Sequence, residues 1–440
     1  MTRTLDADLL QAVSESIEGQ LGLHYPPERW ADLERGLRGA APELGFESVE
    51  KCARELVLSK LDRAQVDALA AHLTVGETYF FRDADAFATI TALVEEKRSR
   101  GKRLRIWSAG CCTGEEPYSI AIALRRAIPD LAEWQIKILA TDINPVFLNA
   151  ALAGVYGRWS FRGVPEETRS AYFRPTAEGR FEILPAIRKM VVFACLNLVE
   201  DVYPTLANGT NAMDLIFCRN VLMYFSHPQV RKVAAKFHDS LVEDGRLIVS
   251  ASEGSRELFS GFVPGTIPGV ALFRKTTQPV VAPPPVPVPV PIPEPVPLPV
   301  NVERALAVVP PDHAADARRL ANEGNLAEAL AACDRALAED KLVAAHHYLR
   351  GVILQEQNAP DEAIAALKRA LYLDHDFALA HFALGHLRLR QGRAPDAARS
   401  FANATALLRV YTPETVLPGS GGITAGRLLA IIAGTEEALA

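Results

Sequence analysis

Residues 104 to 127 constrain this chain more than any other stretch, because they read as a buried strand, a tight loop of small residues and a helix start in immediate succession. Leu104 to Ala109 supplies the apolar run. Gly110 and Gly114 let the backbone bend and come close to a ligand, and Pro117 falls where a first helical turn tolerates proline. The helix is expected to continue through Ile120 to Ala127. Phosphate-binding loops share this strand-turn-helix order, but they leave the positive helix end free for an anion and often supply a lysine. Here that end carries Glu115 and Glu116. Carboxylates at a helix N-terminus are favoured by about 0.3–1 kcal/mol, oppose a phosphate, and suit a ligand with ammonium or sulfonium charge. The spacing is not G-x-G-x-x-G, which disfavours a dinucleotide fold. A plain strand-loop-helix with solvated glutamates is the bland alternative.

S-adenosylmethionine is a ligand of the required charge. Ile136 to Asp142 reads as a second strand ending in an acid, which in a doubly wound sheet lies beside the first loop and can accept both ribose hydroxyls. Taken alone, Asp142 is equally well an N-cap, since Asn144-Pro145 breaks the chain and Val146 to Ala153 resumes a helical pattern. Further apolar runs at Asp214–Cys218 and Gly245–Ser250 continue the alternation of strands and helices expected of a mainly parallel α/β sheet. Val270 to Lys275 is suited to pair antiparallel at its edge. Ligands in such sheets bind at the carboxyl ends of the strands, where Gly110, Asp142, Arg219 and Asn220 all fall.

At ~150 residues per domain, 440 residues suggest about three units, and 49% hydrophobic content is enough for ordinary cores. Residues 1–75 read as a helical domain, with Leu9, Leu10, Val13 and Ile17 at helical spacing. Its cations Arg29, Arg35, Arg38, Lys51, Arg54, Lys60 and Arg63 sit among acids, as on a solvated surface. Residues 76–275 form the α/β unit, with a small antiparallel β insertion at about 160–195. Residues 276–300 are a proline-rich linker in which Pro279 to Pro299 alternates proline with valine, isoleucine or leucine, a composition that stays near polyproline II and extends roughly 65 Å at ~3.1 Å per residue. A proline-rich ligand for a partner's aromatic groove is the sharper reading of that stretch.

Residues 301–412 repeat with a period of 34: Gly324, Asn358 and Gly392 align at a turn, Ala329, Ala363 and Ala397 follow, and Ala336, Ala370 and Ala404 share one face. That is three tetratricopeptide repeats, with residues 413–440 supplying a capping helix. An all-α repeat domain behind a spacer is expected to bind a protein partner and to leave cofactor affinity to the α/β unit.

A net charge of −6 gives no general reason to expect nucleic acid. Six cysteines at 52, 111, 112, 195, 218 and 333 include no C-x-x-C pair, which argues against a disulfide framework and against a metal site and implies a reducing compartment. No signal-peptide pattern and no uncharged apolar run of ~18 residues point to membrane insertion, so the expected location is cytoplasmic.

Several separate blocks resemble the chemotaxis-receptor glutamate methyltransferases of the CheR type: Thr78-Tyr-Phe-Phe-Arg82, Ser108 to Ser119, Ala140-Thr-Asp-Ile143, Gly154-Val-Tyr156, Asn197-Leu198 and Phe217 to Phe225. They cover about residues 5 to 275 in the family's order. The resemblance implies S-adenosylmethionine as methyl donor, S-adenosylhomocysteine as product, and receptor glutamates as acceptors. It implies that Thr78 and Arg82 approach the methionine end and that Glu116, with Glu115 beside it, faces the methionyl ammonium. Asp142 would hold the ribose, while Asn197, Leu198, Arg219 and Asn220 would line the adenine and sulfonium side. The rings of Tyr79-Phe80-Phe81 read as core. Many relatives carry asparagine where this chain has Gly76, so one cofactor hydrogen bond is expected to be missing there. That departure leaves open a catalytically weak scaffold acting through its repeats. The short Pro175 to Gly179 turn implies a substrate helical bundle reached without a pentapeptide tether. Methyl transfer to an ionised carboxylate needs no general base, so Tyr224 is expected to orient the substrate, with Arg98 or Arg100 assisting by charge.

Overall fold

A computed structural model describes residues 5–265, 267, 270–276, 312–413, 415–420 and 423–437. The proline-rich spacer expected at 276–300 lies outside the described residues, apart from Thr276. Helices α1 (Ala7–Leu21), α2 (Trp30–Glu43), α3 (Val49–Leu58) and α4 (Arg63–Leu73) make the N-terminal cap. Asp6 starts α1 by accepting the Leu9 N–H at 2.7 Å, and Leu10, Val13, Ile17 and Leu21 form its buried stripe. A capping box of Asp62 and Gln65 starts α4. Most of the cap's cations are paired with acids one helical turn away, Arg35 with Asp32, Arg38 with Glu34, Lys51 with Glu47, Arg54 with Glu50 and Arg63 with Asp67. That is the solvated surface read from the sequence.

The chain then alternates: α5 (Ala88–Arg98), β1 (Arg103–Ala109), α6 (Glu115–Ala127), β2 (Gln135–Asp142), α7 (Pro145–Ala153), β3 (Val155–Tyr156), α8 (Glu166–Tyr172), β4 (Phe173–Pro175), β5 (Phe181–Ile183), α9 (Pro185–Arg188), β6 (Val191–Cys195), β7 (Met213–Phe217), α10 (His227–Ser240), β8 (Leu241–Val249), β9 (Val263–Pro264) and β10 (Ala271–Arg274). The main sheet has the order β6-β2-β1-β7-β8-β10-β9. Its first five strands run parallel, and β10 returns antiparallel beside β8. Two-residue β9 pairs outside β10, so the strand expected at the edge is one position in from it. Strand order reverses between β1 and β7, and a ligand crevice is expected at that switch point.

Alternate residues of β1 feed the two sheet faces. Ile106 packs with Phe87, Tyr118 and Ile122 on one side, and Trp107 packs with Tyr203 and Phe237 on the other. Trp107 also donates its indole N–H to Thr141 Oγ1 at 2.9 Å. The insertion is a three-stranded sheet of order β3-β5-β4. Thr176 N–H donates to Arg180 C=O at 2.8 Å, closing the tight turn there.

Repeat helices pair as α11 (His313–Asn322) with α12 (Leu326–Glu339), α13 (Ala344–Glu356) with α14 (Pro360–Leu373), and α15 (Ala378–Arg390) with α16 (Ala394–Leu408), followed by α17 (Ala425–Glu437). The turn residues at the 34-residue period all adopt positive φ: Gly324 +87°, Asn358 +60° and Gly392 +74°. Ala329, Ala363 and Ala397 are fully buried, as short side chains must be where paired helices approach closely. At Gly385 a Cβ would lie 2.5 Å from the Phe401 ring, so the missing side chain makes room for the largest fully buried ring of the array.

Contrary to the separation implied by a spacer, the repeats pack on the α/β unit. Glu356 at the end of α13 lies among Arg103 and Arg105 of β1 and Lys137 of β2, toward the amino ends of those strands.

Phe401→Ala is expected to destabilise the repeat array by about 3–5 kcal/mol, the usual cost of emptying a buried phenylalanine site. Denaturant unfolding followed by helix circular dichroism reads this as an early transition, and a change under about 1 kcal/mol would contradict the packing described.

Candidate active site

The carboxyl ends of β1, β2 and β7 open on one cleft of about 1010 Å³, counting its mouth. Ten residues singled out in the sequence line it together: Thr78, Arg82, Gly110, Glu116, Asp142, Asn197, Leu198, Arg219, Asn220 and Tyr224. Two glycines shape the loop after β1. Gly110 has φ +82° and its Cβ would sit 2.4 Å from Val221 Cγ2, while Gly114 has φ +94° and would meet Ala151 Cβ at 2.8 Å. Neither position admits a side chain without moving the opposite wall.

Asp142 is buried, and each carboxylate oxygen takes one backbone N–H, Oδ2 from Cys112 at 2.8 Å and Oδ1 from Asn144 at 2.9 Å. Burial pushes its carboxyl up, against the backbone donors that favour the charged form. A carboxylate oxygen has two lone pairs, so one on each oxygen remains for a vicinal diol. The N-cap of α7 is Asn144, whose Oδ1 accepts from Val146 and Phe147. Asp142 is therefore not spent on capping a helix.

At the other end, Glu116 accepts from Ser108 Oγ at 2.7 Å and pairs with Arg219 Nη1 at 3.2 Å. Burial raises the Glu116 carboxyl, and the Arg219 guanidinium opposes that. Arg219, with a side chain only 3% exposed, also donates to Arg82 C=O at 2.7 Å and binds the Asp83 carboxylate. Arg219 thus sits with Arg82 and Glu116. Asn197 donates Nδ2 to Gln20 C=O at 2.7 Å, and Leu21 and Leu23 line the cleft beside it. The helical cap therefore supplies part of the site.

Four expected residues lie elsewhere. Glu115 is buried behind the loop, accepting from Thr113 Oγ1 at 2.6 Å and Ser160 Oγ at 3.0 Å. Gly76 does not reach the cleft lining; a Cβ there would be 2.6 Å from the ring of Phe147, which takes the space and presents an apolar wall instead. Arg98 is bound to Asp130 at 3.2 Å and stacks 5.8 Å from Trp134. Arg100 pairs with Glu96 at 3.5 Å. Arg98 ends α5 and Arg100 lies in the turn after it, just before β1 begins and so at the opposite end of the sheet from the cleft, and neither is a candidate for catalysis. Of the aromatic triplet, Phe80 is core, stacked on Phe161 at 5.0 Å, but Tyr79 lines the cleft with Arg162 over its ring at 3.9 Å.

Glu253 is a functional residue that sequence reasoning missed. It is buried, and its carboxylate accepts the backbone N–H groups of Asn220 at 2.9 Å, Met223 at 3.1 Å and Ser250 at 3.0 Å. It fixes the loop that carries Arg219, Asn220 (φ +59°) and Tyr224. Its one sequence signal is an acid four residues after an apolar strand. Glu253→Ala removes the acceptor of three backbone donors, that of Ser250 buried, and is expected to cost about 2–3 kcal/mol. A thermal melt should register that loss together with weakened S-adenosylhomocysteine binding, and an unchanged melting temperature would refute the role.

Residues 76–260 match the family described as CheR methyltransferase, SAM binding domain, and residues 351–392 match a TPR repeat. The probable biofilm formation methyltransferase WspC of Pseudomonas aeruginosa is 32% identical over 399 residues, covering 83% of this chain and 92% of that protein. A chemotaxis protein methyltransferase of Borreliella burgdorferi is 30% identical over 57% of this chain and 89% of its own length. Chemotaxis protein methyltransferase 2 of Vibrio cholerae is 34% identical over 48% and 72% respectively. With the cleft built as the sequence blocks require and a relative aligned along nearly its whole length, the chain belongs to the CheR family of S-adenosylmethionine-dependent methyltransferases and carries C-terminal tetratricopeptide repeats.

Proposed function

We propose that this enzyme methylates glutamate side chains on the cytoplasmic helical bundle of methyl-accepting chemoreceptors, giving glutamyl methyl esters and S-adenosylhomocysteine. The observation that carries the reading is that the Tyr224 hydroxyl, in the same cleft as Asp142 and Glu116, has no hydrogen-bond partner among the described residues. Two relatives are named chemotaxis protein methyltransferases, which fits an acceptor in a chemosensory pathway.

Bound S-adenosylmethionine supplies a methyl group on a sulfonium centre. Asp142 accepts from the ribose diol, Glu116 balances positive charge at the methionine end, and Arg82 is placed to pair with a carboxylate there. The acceptor glutamate is ionised near pH 7, its ordinary pKa being about 4.3, so no residue has to remove a proton. With S-adenosylmethionine bound, one oxygen of that carboxylate would face the methyl group, and the residues of the cleft have only to hold it in line. Tyr224 donates to the other oxygen and so aims the attack, leaving the nucleophilic lone pair free. Arg29 of the cap lies 5.6 Å over the Tyr224 ring, and the His24 N–H donates to the Tyr224 C=O at 2.7 Å, which holds the residue in place. The apolar wall of Leu21, Leu23, Phe147 and Phe225 excludes water.

The tight turn between β4 and β5 supports a substrate engaged without a pentapeptide tether. The scaffold alternative rested on Gly76, and Phe147 accounts for that glycine by packing. Among the described residues no helix is long and apolar enough to cross a membrane.

The test is transfer of tritiated methyl from S-adenosylmethionine to purified chemoreceptor cytoplasmic domains, followed by base treatment. Volatile label is expected from at least one receptor, and base-stable label or none would overturn the proposal. Tyr224→Phe is expected to slow transfer by about 10- to 100-fold with cofactor affinity within about twofold. Normal turnover of that variant would remove the hydroxyl from the mechanism.

A further inference from the structure

Three cations stand together on one face of the sheet without a role in the cleft. Arg103 and Arg105 are alternate residues of β1, and Lys137 is the register partner of Arg105 on β2. Like charges directly opposite on neighbouring strands repel. They face Glu356, which pairs with Arg105, lies 3.6 Å from Arg103 and 3.5 Å from Lys137, and is 9% exposed; the second acid nearby, Asp214, accepts the Arg105 backbone N–H at 2.8 Å and is paired with Lys97. Glu356 is the last residue of α13, where the helix dipole disfavours an acid. Each side of this contact is thus poorly placed alone and completed by the other. Burial would raise the Glu356 carboxyl, but Lys137, Arg105 and Arg103 together hold it down at about 2.

Arg105 has a second set of partners. Its Nη2 donates to Gly209 C=O at 2.9 Å and to Asn211 Oδ1 at 3.1 Å, both in the loop between β6 and β7. That loop also touches the repeats directly. Asn211 Nδ2 donates to Ala321 C=O of α11 at 3.3 Å, Thr205 Oγ1 donates to Ser420 C=O at 3.4 Å, and Leu206 packs against the cores of both the first and the later repeats. Within the loop, Thr205, Asn208 and Thr210 bond one another's side chains and backbone at 2.5–3.1 Å, so its two halves are tied together. Its near end is Tyr203, whose hydroxyl donates to Leu198 C=O at 2.8 Å. Leu198 lines the cleft.

We propose that the repeat array is a clamp for its own enzyme: the ends of its first helices grip the 203–211 loop and the Arg103–Arg105–Lys137 platform, and through Tyr203 they set the Leu198 wall of the cofactor cleft. The partner this repeat face fits is therefore the methyltransferase domain of the same chain. A protein that displaces it changes cofactor affinity, which reverses the expectation that the repeats leave the cleft alone. The clamp rests on the reading of the cleft as the cofactor site, but its docking contact can be tested apart from that reading.

The test uses the full chain and two variants that act from opposite sides of the contact, Glu356→Lys and Leu206→Asp. Small-angle scattering reads docking, hydrogen exchange reads the 198–211 backbone, and calorimetric titration with S-adenosylhomocysteine reads the cleft. Both variants should enlarge the radius of gyration, speed exchange at 198–211, and weaken binding by about fivefold or more, the lower end of usual coupling between sites. Glu356→Gln, which keeps the shape and removes the charge, should do the same more weakly. Enlarged variants that bind within twofold of the parent, with 198–211 still protected, would overturn the coupling. Unchanged dimensions in both variants would overturn the clamp. If the parent itself fails to bind S-adenosylhomocysteine, the cofactor reading falls, while scattering and exchange still decide whether the repeats hold the loop.

Discussion

The buried pair of Glu116 and Arg219 fastens the carboxyl end of β1 to that of β7, and the cleft depends on it. Glu116 follows the glycine loop after β1, and Arg219 follows β7, the adjacent strand on the other side of the switch point. Parallel pairing brings both loops to one end, and the ion pair, with Gly110 packed against Val221, ties them together there. Neither charge stands alone: Ser108 completes the carboxylate, and Asp83 with the Arg82 carbonyl completes the guanidinium. Breaking a buried pair of this kind by removing one partner typically costs about 3–5 kcal/mol, because the survivor is left charged in a dry place.

Around that pair the site is assembled from elements far apart in sequence. Asp142 is held by backbone donors from its own strand end and from the β1 loop, Asn197 is tied to α1, and Glu253 sets the loop of Tyr224. The chemistry asks little beyond this. For the acceptor proposed, a carboxylate nucleophile is already ionised and a sulfonium methyl is already electrophilic, so alignment and exclusion of water would be the work left to the protein.

Much of this is legible in the amino-acid sequence. The glycines at 110 and 114, the acid at 142 and the pair at 219 and 220 sit where strand ends meet turn residues, a local signal that parallel pairing converts into proximity. The repeat turns at 324, 358 and 392 are equally plain, since only residues tolerant of positive φ recur there. Arg98 misleads because its partner Asp130 lies 32 residues away, while Arg100 forms an ordinary surface pair with Glu96 one helical turn back. Glu253 and Glu356 are invisible for a related reason: a buried acid is recognised by its donors, and the Arg105 donor of Glu356 lies 251 residues away. The packing of repeats onto the sheet cannot be read either, because a proline-rich spacer fixes reach but not where its far end settles.

Calorimetric titration of S-adenosylhomocysteine into the full chain and into Asp142→Ala, with circular dichroism confirming that the variant is folded, tests the central claim most directly. The account predicts saturable one-to-one binding by the parent and a loss of about 100-fold or more in the variant, whose ribose has lost its acceptor on both hydroxyls. Binding by the folded variant within a few fold of the parent would contradict it, because the acid at the end of β2 would then not be what holds the cofactor.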